Sequence, residues 1–424
     1  MSAHVAPLAA ELLARNFGGT DELLVGGVPV SRLVQEHGSP LFVYDADIAR
    51  RRYRDLSAAV SGFASVFYSV KANPNPEIAR LFVEEGAGLE VASARELQIA
   101  LQAGAPASRI LFAGPGKGAS ELEFAVGSRI GEVHVECFEE IHTLGRLAQD
   151  AGQRVRVGIR VNPIAAAQGG AMRMGGKPAA FGFDEESLSD VIKALAGQPM
   201  LDLVGVHLFA GTQILDTDTL LVQWGHGLDV AARVAQMIGR PIETIDLGGG
   251  LGIPYHGADR ALDLGKIAAG ASTLGTRKSS DALLRDARVV LEPGRFLMGE
   301  AGIYVMSVRA VKQSRGTRFV IADGGMHHHL AASGNLGQVM KRDYPIVAAT
   351  KLRVPAEDVA SLVGPLCTPL DTLARQTALP VLAAGDLIAV LQSGAYGLTA
   401  SPVNFLSHPA PKEILVSRGE PLVI

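Results

Sequence analysis

After the first forty residues, short runs rich in valine, isoleucine and leucine recur along the chain, separated by stretches in which alanine, leucine and charged residues fall at helical spacing. The runs are ASVFYSV, GLEVAS, RILFAG, EVHVEC, RVRVGIRV, LVGVHLFAG, TIDLGGG and ARVVLEPG, eight in all. Mostly apolar strands alternating with helices describe a parallel sheet buried on both faces. Eight such units predict an α/β architecture, a (β/α)8 TIM barrel over residues 41–290. From about residue 300 the pattern changes to shorter alternating segments, GIYVMSVRAV, RFVIAD, GDLIAVLQS and EILVSRG, with little helical periodicity. These predict a second, β-rich barrel or sandwich domain built from 1–40 and 291–424, to which LLVGGVPVSRLVQEHG is expected to add strands. The glycines flanking AMRMGGK, around Arg173 to Lys177, suggest one mobile loop.

Such a barrel carries its chemistry on the loops that follow the strands. Polar residues stand there after six of the eight runs: Lys71 after the first, Glu90 and Ser93 after the second, Asn162 after the fifth, Thr212 after the sixth, Gly248, Gly249 and Gly250 after the seventh, and Glu292 with Arg295 after the eighth. Taken alone, each has an ordinary reading as a turn lysine, a tight glycine turn or a surface ion pair. Together they make a pattern.

Composition limits the partners. At 424 residues and 48% hydrophobic, the chain can bury a large core in two domains. A formal net charge of −4 and the absence of any basic run give no footprint for nucleic acid or an anionic membrane. No apolar run approaches the roughly 20 residues of a membrane span, and APLAAELLARN, interrupted by Glu11 and Arg15, is no secretory core. Cys137 and Cys367 are too few for a disulfide framework and lack metal-ligand spacing, so a soluble cytoplasmic protein without a metal centre is expected.

A lysine amine fixed at a strand end can condense with an aldehyde to a Schiff base. Three consecutive glycines let backbone N–H groups approach a phosphate, and barrels favour phosphate sites on the loops after strands seven and eight. Glu292 offers a carboxylate and Arg295 an anion clamp. An amine, a phosphate cradle and a carboxylate for a ring nitrogen match the needs of pyridoxal 5'-phosphate.

FYSVKANPNP, GLEVASARE, GPGK, IDLGGGLG, LEPGR, GPLCTPLD and SGAYG, in this order, resemble the fold-type III pyridoxal-phosphate decarboxylases, the diaminopimelate, ornithine and arginine decarboxylase group related to alanine racemase. The resemblance runs from about Leu41 to Pro409. It implies that Lys71 holds the cofactor covalently, that Glu292 pairs with the pyridine nitrogen, and that Gly248 to Gly250, Arg295 and Tyr396 bind the phosphate. Arg295 and Tyr396 would also face the substrate, and Glu90 matches an acidic family position near Lys71. Cys367, in a CxxxD pattern, would be the acid that protonates the α-carbon, placed in the neighbouring subunit's active site, so a homodimer with shared active sites is implied. Cys137, Trp224 and His327 to His329 are read as structural, the histidines lining the substrate path or the dimer seam.

Several positions depart from the family pattern. Where members read HxHxGSQ or FHVGS, this chain reads HLFAGTQ: Phe209 takes the ring-stacking position of a histidine, and Thr212 replaces a phosphate-binding serine. Phenylalanine still stacks, but the histidine's hydrogen bond is lost. Ala180 stands where a lysine is usual. After Cys367 the acidic residue that binds a substrate's distal ammonium is replaced by Thr368, followed by Pro369. A buried ammonium without a carboxylate would cost several kcal/mol. ADGGMHHHLAASGNLGQVMKRDYP and GPLCTPLD resemble a subgroup that includes the exosortase-associated decarboxylases and a glutamyl-carrier-protein decarboxylase. The expected activity is decarboxylation of an amino acid at its α-carbon, with a small-molecule or carrier-protein-bound substrate. Diaminopimelate or an ornithine/lysine-type substrate is the alternative. A racemase of this fold would need a tyrosine base on the opposite ring face, and a silent binding protein would not need Lys71, Glu292, Arg295 and Cys367 together.

Overall fold

The computed structural model describes residues 7–18, 21–164, 172–173, 178–209, 211–336 and 341–424. The chain divides into two compact units: Tyr53–Gly252 with Ala261–Gly294, and Met1–Arg52 with Ile253–Arg260 and Arg295–Ile424.

The first unit is a closed parallel barrel. Its strands are β1 (Ser65–Ser69), β2 (Gly88–Val91), β3 (Ile110–Phe112), β4 (Glu132–Val135), β5 (Val155–Asn162), β6 (Leu201–Leu208), β7 (Thr244–Asp246) and β8 (Arg288–Leu291). Each pairs in parallel with the next, and β8 pairs with β1 to close the ring. All eight apolar runs of the sequence are therefore barrel strands. Their register is fixed by burial: of the residues in β2, β3 and β4 none is exposed, and Phe67, Leu111 and Val290 pack together in the interior. The helices that follow β1 and β2 start at caps the sequence spells out. Asn75 accepts the N–H of Glu77 ahead of Pro76–Glu84, with Pro76 in the first turn, and Ser93 accepts that of Glu96 ahead of Ala94–Gln102.

The second unit is β-rich, as expected. Its sheet runs Thr372–Leu379, Asp358–Val363, Thr317–Ala322, Gly302–Ser314, Leu41–Asp45, Lys412–Ser417, Glu420–Val423, with Leu387–Val390 bridging Gly302–Ser314 to Ile346–Ala348. Two expectations are corrected here. Leu41–Asp45 does not open the barrel; it pairs with Gly302–Ser314 and Lys412–Ser417, and the division between units falls between Arg52 and Tyr53, inside the helix Ala46–Ala59. All five of its residues are buried, so its apolar pattern is that of a barrel strand. The opening segment adds only a two-stranded sheet of its own, Leu24–Val25 with Val28–Pro29, and then forms the helix Val30–His37.

The stretch expected as a mobile loop around Arg173 to Lys177 lies for the most part outside the described residues; Met172–Arg173 pairs with Gly211–Thr212. Among the described residues, no helix is long and apolar enough to cross a membrane.

Gly205 shows how tightly the barrel strands are held. A Cβ there would lie 2.1 Å from the carbonyl oxygen of Thr244 on the neighbouring strand, at the point where the β5–β6 register shifts. Gly205→Ala should therefore destabilise the barrel by about 1–3 kcal/mol or more, read as a lowered thermal midpoint; an unchanged midpoint would show that the strands part freely.

Candidate active site

Strand β1 ends in a single 3-10 turn, Val70–Ala72, and Lys71 sits on it. The turn is braced below by the Tyr68 hydroxyl, which donates to the Asn73 carbonyl at 2.9 Å. Asn73 and Asn75 then accept backbone N–H groups, so the two Asn-Pro steps turn the chain from strand to helix within four residues. Lys71 is left with its side chain 42% exposed and its Nζ bonded to both oxygens of the buried Glu90, at 3.0 and 2.9 Å. Ser69 donates to the same carboxylate at 2.5 Å.

Across the barrel mouth, β7 ends in Asp246 and runs into Gly248, Gly249 and Gly250. Gly248 and Gly250 have φ of +65° and +94°, in the left-handed region that favours glycine. A Cβ on any of the three would meet a backbone oxygen at 2.5–2.6 Å, from Leu208, Glu292 and Gly211 respectively. The turn is zipped to the loop after β6, with Ile214 N–H donating to Gly250 and Gly252 N–H to Ile214, both at 2.9 Å. The Phe209 ring lies against the turn, 3.1 Å from where a Gly248 Cβ would stand. Thr212 is half-buried beside it, on the short strand Gly211–Thr212.

Glu292 follows β8 and is 5% exposed. His207 Nε2 lies 3.5 Å from its Oε2, and its Oε1 is buried without a hydrogen-bond partner. Burial holds the His207 imidazole down at about 4, so it is neutral near pH 7. Burial opposes ionisation of Glu292, but His207, Lys71 and a hydrogen bond to Asp246 outweigh it and keep the carboxylate below its usual range. A neutral imidazole acts there as a polar neighbour rather than as a cation.

The barrel unit thus brings together Lys71, Glu90, Phe209, Thr212, Gly248 to Gly250 and Glu292. Ser93 and Asn162 have other tasks, Ser93 as a helix cap and Asn162 donating to Asp184 at 2.8 Å.

The remaining expected residues belong to the β-rich unit. Arg295 donates to the Tyr255 hydroxyl at 2.9 Å and lies over the Tyr396 ring at 4.6 Å, with its Nε buried and unpaired. Cys367 is exposed at the tip of the loop Gly364–Asp371. That loop is closed by Asp371, whose carboxylate accepts the N–H groups of Met326 at 2.6 Å and Leu366 at 2.9 Å. Thr368 spends its hydroxyl on the N–H of Leu370 at 3.3 Å.

His327, His328 and His329 are buried rather than lining an exposed path. His328 contacts the Tyr304 hydroxyl at 3.0 Å, and His329 that of Ser393 at 3.0 Å. Cys137 is the half-buried residue ahead of the helix Phe138–Asp150, and Trp224 is core.

Three residues of this region escaped the sequence reading: Asp246, His134 and Glu96. Asp246 was legible as a carboxylate just before a glycine turn. His134 was legible as a histidine inside an apolar run, but nothing in the sequence says that its ring lies 4.7 Å from that of His207.

An unpaired, buried carboxylate oxygen, a turn stripped of side chains and a tethered amine fit pyridoxal phosphate. Comparison with known proteins agrees. The family described as pyridoxal-dependent decarboxylase, pyridoxal binding domain, matches residues 46–299. An L-glutamyl-[BtrI acyl-carrier protein] decarboxylase of Niallia circulans is 40% identical over 394 residues, 92% of this chain and 91% of that one. A diaminopimelate decarboxylase of Methanothermobacter thermautotrophicus is 34% identical over 94% of this chain and 91% of its own. The solved diaminopimelate decarboxylase of M. jannaschii, in complex with L-lysine, superposes with a TM-score of 0.88 at 26% identity, covering 96% of this chain and 94% of that one. The chain belongs to the pyridoxal-dependent decarboxylases: it is a lyase that uses pyridoxal phosphate.

Glu96 supplies a test of the electrostatics around Lys71. Its carboxylate accepts the N–H of Ala92 at 2.7 Å. Burial and then the charge of Glu90 push it up to about 7, against the opposing pull of Ala92 and Lys71. A carboxyl raised in this way binds its proton more tightly when folded. Stability therefore falls as pH rises from 4.5 to about 7, by up to roughly 3 kcal/mol, and levels off above. Glu96→Gln keeps the acceptor and does not titrate. The thermal midpoint of the variant relative to the parent should rise between about pH 5 and about pH 8; a constant difference would mean that Glu96 titrates ordinarily.

Proposed function

We propose that this enzyme removes the α-carboxylate of an amino acid whose far end carries no free ammonium, an aminoacyl group held on a carrier protein. The observation that carries this reading is the Cys367 loop. Its only carboxylate, Asp371, is 2% exposed and committed to two backbone N–H groups, while the tip presents Cys367, Thr368, Pro369 and Leu370. Nothing in that tip balances a positive charge. The relative at 40% identity bears a carrier-protein substrate in its name, which supports the reading.

When bound, pyridoxal phosphate supplies the electron sink for the bond broken at the α-carbon. Lys71 Nζ is the amine that carries it, positioned by the two hydrogen bonds to Glu90. Glu292 holds a proton at the ring nitrogen through its unpaired Oε1. Phe209 would stack on the ring, and the backbone of Gly248, Gly249 and Gly250, with Thr212, would hold the phosphate. Arg295 and Tyr396, in the β-rich unit, are assigned the binding of an anionic group, as the family resemblance implies. The bond to carbon dioxide breaks, and Cys367 Sγ delivers a proton to the α-carbon in its place.

Cys367 stands exposed on the loop that also bears Leu370, 49% exposed, whose carbonyl accepts from Asn335, the neighbour in sequence of the 42% exposed Leu336. This supports a homodimer in which each copy lends its cysteine and Thr368 to the other's site. Two free cysteines and a chain without basic runs fit a cytoplasmic location.

Lys71→Ala should remove the cofactor's visible absorbance and lower carbon dioxide release at least about a thousandfold; a persisting visible band would overturn the Lys71 assignment. In a carbon dioxide assay over an amino-acid panel, carrier-bound aminoacyl groups should exceed free diaminopimelate and ornithine by at least about tenfold in kcat/KM. Efficient turnover of free diaminopimelate with none of the carrier-bound substrates would place the enzyme with its diaminopimelate-decarboxylating relatives instead.

A further inference from the structure

Asp246 has no part in the steps above, yet it is fully buried, at 0% exposure. Its Oδ1 takes the N–H of Gly248 at 2.8 Å, which ties it to the glycine turn. Its Oδ2 is buried without a donor, and an oxygen of its carboxyl group lies within 4.8 Å of one of Glu292's. One ligand-type atom from each of Asp246, Glu292, His207 and His134 can be chosen so that all four lie within 4.8 Å of one another.

Two carboxyl groups this close, sealed from water and without a cation between them, cannot both ionise. One proton therefore belongs to the pair, and the surroundings decide which member holds it. Glu292 has the field of Lys71 and the His207 ring beside it. The other charged or titratable groups from the surrounding strands are His134 and Glu132 on β4, Arg160 on β5 and Arg288 on β8. Arg160 is engaged with Glu136 at 2.7 Å and Arg288 with Glu132 at 3.0 Å. Neither is an ion-pair partner of Asp246.

We propose that Asp246 is a positioning residue that keeps its proton at neutral pH and donates it in a hydrogen bond to Glu292, holding Glu292 charged with Oε1 turned to the cofactor's ring nitrogen. This rests on the placement of Glu292 at that nitrogen. Burial, and then the charge of Glu292, push Asp246 well above the carboxylate range, in agreement with the geometry. The proton on Asp246 lets Glu292 stay ionised without an ion-pair partner, which would occupy the oxygen that the cofactor needs.

Asparagine is the isostere of the protonated acid: its oxygen still accepts from Gly248, and its amide still donates to Glu292. Asp246→Asn should bind pyridoxal phosphate within about threefold of the parent, whereas Asp246→Ala, which leaves Glu292 without that donor, should weaken binding about tenfold or more. Equal losses in the two variants would overturn the proposal.

Infrared spectroscopy of the full chain, with and without cofactor, gives a readout independent of turnover. Near pH 7.5 the parent should show the carbonyl stretch of a protonated carboxyl that is shifted by carbon-13 labelling of aspartate and absent from Asp246→Asn. Should that variant not fold, Glu292→Gln serves in its place: removing the facing anion should make the labelled band titrate at lower pH. No labelled band in the parent, or a band unaffected by either variant, would overturn the proposal. A missing band with the Lys71 result intact removes only this inference, and a persistent visible absorbance in Lys71→Ala removes only the reading on which it rests.

Discussion

An anion kept charged inside a low-dielectric interior is the constraint on which the barrel unit is arranged. Glu292 lies where ionisation is opposed by burial, yet its Oε1 is buried without a hydrogen-bond partner. The barrel answers with neutral polar groups and a charge at a distance: a deprotonated imidazole at 3.5 Å, a neighbouring carboxyl and the field of Lys71. Full ion pairs are kept to other places, such as Arg160 with Glu136 and Arg288 with Glu132. The same economy appears in the glycine turn, where close-packed backbone leaves no room for a Cβ on any of the three glycines.

The barrel was legible because parallel strands buried on both faces read as uninterrupted apolar runs, and all eight stood out. The domain bound at residue 41 missed because Leu41–Asp45 belongs to the other sheet, and its partners, Gly302–Ser314 and Lys412–Ser417, lie hundreds of residues away. The strands Asp358–Val363 and Thr372–Leu379 went unseen because their alternation is broken by register shifts and exposed positions. In the candidate site, features that depend on a position in the chain were readable: a lysine at a strand end and the glycines of a turn stand where the chain order puts them. Residues whose meaning comes from a neighbour on another strand were not. Asp246, His134 and Glu96 are ordinary in sequence, and their chemistry arises only when the barrel closes.

The β-rich unit solves a different problem, the presentation of an exposed thiol on an open loop without leaving the loop loose. Asp371 does this by drawing Met326 and Leu366 onto one carboxylate, with Gly325 and Gly364 packed so closely against it that a Cβ on either would collide with its oxygens at 2.3 Å. At the tip, Thr368 makes contacts within the loop, and the carbonyls of Pro369 and Leu370 accept from Thr372 and Asn335, each at 3.1 Å.

Anchor and reader are thus separate residues only a few positions apart. The carboxylate that gives the loop its shape is buried and committed to backbone N–H groups, while Cys367 and Leu370 stand exposed. Replacing an outward-facing residue of this loop changes the charge at its tip without touching the carboxylate that holds the loop together. The loop behaves as an interchangeable head on a fixed mount, which is how one scaffold can serve amino acids that differ mainly in what lies beyond their reacting carbon.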